Sequence, residues 1–218
     1  EDFWLSWSQS CNMDFKKILV DFLTSFLLLC NRSVGLILDP YKTMRKISLE
    51  KDYWQPGIII GLIFIYFKFI YYLREKMYPA TFIYVSFVFN FLLTIIFFYF
   101  LSKLFNKNKK KIDLSSFLFT FSYSLLPTLV WFLLTSILFI FLPPPRTLSL
   151  LGKGFSIFFI TYSLSLLAWK IILVYLAIRF SANQNFFRIF YMIVLYLSWF
   201  IPYSIFLYQF KLFRVPFI

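Results

Sequence analysis

Residues 79–102, PATFIYVSFVFNFLLTIIFFYFLS, run for 24 positions without a charged side chain. As a helix rising ~1.5 Å per residue, this stretch is about 36 Å long, enough to cross the ~30 Å hydrocarbon layer of a bilayer. Four more runs reach a comparable length: Gly57 to Leu73, Leu114 to Leu142, Phe155 to Ile178 and Phe186 to Phe210. Turns or charges bound each one, and short connections make successive helices antiparallel neighbours. The whole chain agrees with this reading. With 61% hydrophobic residues, 33 Phe and a mean hydropathy of +0.79, its 218 residues hold more apolar surface than one water-soluble core can hide. The expected fold is an all-α polytopic membrane helix bundle with five transmembrane helices, preceded by amphipathic interfacial helices. Residues 1–56 form a cytoplasmic or interfacial segment, 57–210 the membrane domain and 211–218 a short tail.

Lys and Arg outnumber Asp and Glu by 22 to 9. The basic residues cluster at the ends of apolar runs, so the excess reports topology rather than nucleic-acid binding. Counted over alternate connections, eleven fall on the side of residues 38–56 and six on the other. This places the N-terminus inside and the C-terminus outside, with a bacterial or archaeal cytoplasmic membrane as the expected location. Cys11 and Cys30 are too few for a disulfide framework or a metal site.

The segment before the first long run has two parts. Met13 resembles a start, with residues 1–12 as an extension. On a wheel of ~100° per residue, Phe15, Ile18, Leu19, Phe22, Leu23, Phe26 and Cys30 share one side, while Lys17, Asp21, Thr24, Asn31 and Arg32 share the other. The expectation is a helix lying on the bilayer, since Asp within a span costs ~3 kcal/mol; neither a span nor a cleaved signal is favoured. Next comes LDPYKTMRKISLEKDYWQP, residues 38–56. Asp39 followed by Pro40 starts a helix, with Asp as cap and Pro at a position that needs no N–H. That helix places Tyr41, Met44 and Ile47 on one side, to dip into the membrane interface. Lys42, Arg45 and Lys46 lie on another, to meet anionic headgroups or a docking partner. Trp54 belongs at the headgroup level.

Chemistry inside a membrane ordinarily needs an ionisable group at depth. The chain has no His, and none of its nine acids falls within the five runs. No catalytic residue, metal site or cofactor is expected, and the protein reads as a non-enzyme. Two lysines do lie within the runs. Lys68 is six residues from Arg74, ~9 Å along a helix, and can snorkel; Lys170 is ~13 Å from Arg179 and is the better candidate for a substrate contact. Polar residues such as Asn90, Thr94, Thr120, Ser163 and Ser204 suit hydrogen bonds between helices. Gly57 and Gly61 form a small-xxx-small pattern that favours close helix packing. Pro127 and Pro202 should kink the third and fifth spans and free carbonyls.

The pattern Pro40, Met44, Ile47 in DPYKTMRKIS ahead of five spans, together with Tyr123 and Pro127 in FSYSLLP, resembles the Yip-domain family of Ypt/Rab-interacting membrane proteins. The resemblance covers residues 36 to about 210. It implies a non-enzymatic five-helix protein with a cytosolic N-terminus. Eukaryotic members act in membrane traffic with small GTPases through a longer N-terminal region, whereas the 56 residues here look like the short prokaryotic form. The resulting expectation is a membrane scaffold docking anionic lipid and a membrane-protein partner or a second copy of itself. The alternative is a permease component with a path near Lys170 and the two prolines.

Overall fold

The computed structural model describes residues 2–50, 52–73, 79–105, 112–141 and 150–210. Among them are eight helices and no strand: α1 (Asp2–Leu38), α2 (Pro40–Leu49), α3 (Trp54–Leu73), α4 (Ala80–Leu104), α5 (Leu114–Tyr123), α6 (Leu126–Phe141), α7 (Leu150–Ala182) and α8 (Phe186–Gln209). The chain is an all-α bundle, as its apolar runs require. The 211–218 tail and the connections at 74–78, 106–111 and 142–149, with their basic residues, lie outside the described residues, as does Lys51.

Six stretches, rather than five, are long and apolar enough to cross a membrane; the addition is Lys16–Leu38 in α1. With so many apolar helices the architecture is that of an integral membrane protein. The contacts of α1 set it apart from the other five. Phe22 meets the Trp54 ring at 6.1 Å, Ser25 donates to Asp52 at 2.7 Å, and Arg32 donates to Gln55 at 2.6 Å. Ten residues of helix, ~15 Å of rise, therefore land on residues 50–55. A helix running alongside α3 would meet it at steadily later or earlier positions, so α1 instead crosses over its beginning.

The buried core centres on α5. Leu114–Leu138 is the most deeply buried of the six stretches, and Phe117, Phe119, Phe121 and Tyr123 are closed off from the surface. The third apolar run is two helices rather than one. Ser124 N–H donates to the Phe121 carbonyl at 3.0 Å and Leu125 N–H to the Ser122 carbonyl at 3.1 Å, a tight turn of i to i−3 bonds. Pro127 has no N–H to return to the Tyr123 carbonyl, so the α-helical ladder is interrupted and restarts as α6. Pro202 behaves differently: α8 continues through it, and Pro202 faces outward. Of the two prolines only Pro127 separates two helices; Pro202 lies inside α8, where its missing N–H still frees a carbonyl.

Two further expectations change at the level of packing. A Cβ built on Gly57 or Gly61 would meet nothing within 4 Å, so the GIIIG pattern makes no close helix approach here. The close approach falls at Gly35, whose Cβ would lie 2.8 Å from Thr43 Oγ1 where α1 meets α2. The helix start at Pro40 is as expected, but Asp39 caps only through its backbone carbonyl, which accepts from Thr43 N–H at 3.1 Å. Its carboxylate turns to Lys42 at 3.4 Å.

Polar side chains join the helices. Tyr203 donates to Asn90 Oδ1 at 2.8 Å, Thr94 and Tyr196 are bonded at 3.0 Å, Thr120 and Ser181 at 2.8 Å, and Trp131 donates to Ser163 at 3.1 Å. Ser204 instead is buried with no hydrogen-bond partner for its hydroxyl among the described residues.

Candidate functional site

The helix α2 is built on two apolar residues one turn apart. Met44 and Ile47 are 0% and 1% exposed, and α2 packs against α5, α7 and α1. The expectation that these side chains dip into the membrane interface is corrected: they face the bundle, because α5 and α7 supply a drier surface than headgroups can. Tyr41 is half exposed, its ring 5.0 Å from Phe180 and 5.5 Å from the Arg179 guanidinium, a cation–π contact. Lys42, Arg45 and Lys46 all remain exposed. The apolar side of α2 thus fixes the helix to the protein and presents its cations outward.

Directly beneath lies a buried polar knot that composition does not announce. Arg32, 6% exposed, donates to Gln55 Oε1 and forms an ion pair with Glu50. The same Gln55 oxygen accepts from the Tyr123 hydroxyl, and Gln55 Nε2 donates to Asp52 at 2.9 Å. Asp52 also accepts from Ser25 and from the Trp54 backbone N–H, at 2.7 Å and 3.1 Å. Four segments meet here: α1, the α2–α3 linker, the start of α3 and the end of α5. Tyr123 comes from the FSYSLLP stretch, so the interrupted helix is tied to the charged island through its last residue. The wheel placed Arg32 on the water side of α1 with Lys17 and Asp21, and this too is corrected. Spacing held the signal, since Ser25, Leu29, Arg32 and Leu36 recur at i, i+4, i+7 and i+11 and all four are buried. The Glu50 and Asp52 carboxylates are what make burial of an arginine tolerable there.

A second site lies within the bundle. Lys170 on α7 donates from Nζ to Thr128 Oγ1 at 2.9 Å, one residue beyond Pro127. It lines a cavity of about 60 Å³ bounded by α4, α5, α7 and α8. Lys68 is separated from this site: it is exposed on α3, its Nζ 5.8 Å from the Phe64 ring centroid. The structure therefore joins Lys170 to the Pro127 break and leaves Lys68 and Pro202 outside.

Comparison with protein-family models, curated proteins and solved structures finds no match to this chain.

Proposed function

We propose that this integral membrane protein is a non-enzymatic organising scaffold whose helix α2 docks the anionic headgroups of the leaflet it faces. One observation carries the reading: Met44 and Ile47 are locked in the core while Lys42, Arg45 and Lys46 are exposed on the same ten-residue helix. A flexible basic tail would have to lose conformational freedom on meeting a membrane, whereas a seated helix has already been ordered by folding. Each cation near an anionic surface contributes about 1 kcal/mol, less for Lys42 and Lys46, which also meet Asp39 and Glu50 through exposed ion pairs, so the three act together as a lipid selector led by Arg45. Arg179, held over Tyr41, adds a fourth positive charge beside them. The expected resemblance to Yip-domain proteins fits a role of this kind and rests on the residues quoted for it.

The test is lipid selection by the full chain. Extracted into nanodiscs from mixed phosphatidylcholine and phosphatidylglycerol, the wild type should retain phosphatidylglycerol above the bulk ratio. A Lys42→Glu, Arg45→Glu, Lys46→Glu variant with unchanged folding should return to that ratio. Equal retention by both would end the docking reading.

The junction of Lys170 with the interrupted third run favours a second reading, a permease component for a small solute. Helices broken at depth and lined by polar groups are a recurrent way of building a solute site in transporters. Solute flux in liposomes that is abolished by Lys170→Met would favour it; absence of flux for small anions and neutral solutes would remove it.

A further inference from the structure

We infer that the Lys170 cavity is a binding site for a small monovalent anion, of a size between a halide and a short carboxylate. The inference deepens the permease reading by naming the ligand class and rests on the same cavity, but binding is measured separately from flux.

A lysine ammonium has three N–H donors and no acceptor. At Lys170 one goes to the neutral Thr128 hydroxyl at 2.9 Å, and no other protein partner is found among the described residues. No ion pair reaches it either: the described salt bridges all lie at residues 32–50, and α3, α4, α6, α7 and α8 contain no Asp or Glu. A charge held in an apolar bundle without a counter-charge is costly, and a bound anion is one way to meet that cost at the half-buried Lys170.

The remaining polar groups around the cavity are already committed. Thr94 donates to the Asn90 carbonyl at 2.9 Å, which leaves Tyr196 as the donor in their 3.0 Å bond. Ser124 donates to the Phe121 carbonyl at 2.7 Å. The free donors in the chamber are therefore those of Lys170, and what they lack is an acceptor carrying negative charge. Elsewhere the wall is apolar, with Phe87, Phe91 and Phe98 from α4 and Phe121 from α5. Aromatic rings carry positive charge at their edges, so such a wall is compatible with an anion. A cavity of about 60 Å³ suits a small ion rather than a nucleotide or sugar phosphate.

The experiment uses the full chain in phosphatidylcholine nanodiscs, where α2 has no anionic lipid to meet. The thermal midpoint is followed as chloride, formate or acetate replaces gluconate at constant ionic strength. The wild type is expected to show a saturable rise of about 5 °C with at least one of the small anions. Lys170→Met should show none. Val174→Phe, which fills the cavity from α7 and leaves the lysine in place, should also lose the response. It covers the case in which the methionine variant does not fold. A wild type without a saturable response overturns the inference, as does a response that persists in either folded variant. Saturable binding without any flux would retain the anion site and remove the permease reading.

Discussion

Arg32 brings five donors into a place where water cannot serve them, and its Nε has no partner among the described residues. What holds it is the pairing with Glu50 and the shared oxygen of Gln55. Replacing Arg32 by Met should destabilise the fold by about 2 kcal/mol, less than for a fully buried ion pair because Glu50 is half exposed and can return to water. Tyr123→Phe removes one hydrogen bond to Gln55, which keeps its bond from Arg32, so about 1 kcal/mol is expected. Reversible unfolding of each variant in mixed micelles measures both numbers. A Tyr123 variant as damaging as the Arg32 variant would mean that the hydroxyl, rather than the arginine, organises the knot. Tyr123 stood out in the FSYSLLP stretch, but Arg32, Glu50 and Gln55 were not legible as its partners. Arg32 looked like a water-facing charge because a wheel records which residues share a side, not what that side meets.

The helices divide by what they pack against. The junction of α1 with α2 depends on Gly35, since any Cβ there approaches Thr43 Oγ1. Gly35→Leu should cost about 2 kcal/mol through overpacking. Gly35→Ala placed on a Thr43→Ala background should instead gain up to ~1 kcal/mol from helix propensity, and urea or dodecyl sulfate titration of the pair reads the difference. Between α4 and α8 the Thr94–Tyr196 bond is a modest link. A double-mutant cycle with Thr94→Val and Tyr196→Phe should return a coupling of about 0.6 kcal/mol, the size usual for such bonds within membranes. A coupling near zero would make the bond incidental to the packing of the two helices. The apolar runs and the start at Pro40 were readable because length, proline and periodicity are local properties. The division of the third run at Ser124 was not, because Pro127 and Pro202 look alike in sequence and only one is joined by a turn of i to i−3 bonds.

For the molecule as a whole the decisive quantity is which side of the membrane each end of α1 occupies. The contacts of Phe22, Ser25 and Arg32 all fall on residues 50–55, which fits a helix lying over one end of the bundle. Single cysteines at Lys16 and Arg45, in a background lacking Cys11 and Cys30, should then react with an impermeant maleimide from the same side. Labelling from opposite sides would make α1 a sixth span. The sequence by itself determined that the chain folds as helices in lipid, that most of its charges sit at their ends, and that Lys170 lies within an apolar run. Those conclusions need only composition and the positions of charges along one dimension. Tertiary structure decided the rest: that Met44 and Ile47 are core, that Arg32 is buried, that Gly35 rather than Gly57 is the point of closest approach, and that Lys170 meets the break beside Pro127. Each depends on which surfaces from distant parts of the chain are brought together, and burial on a second helix competes with burial in lipid on nearly equal terms. Side-chain polarity alone does not choose between them; shape and hydrogen-bond partners do.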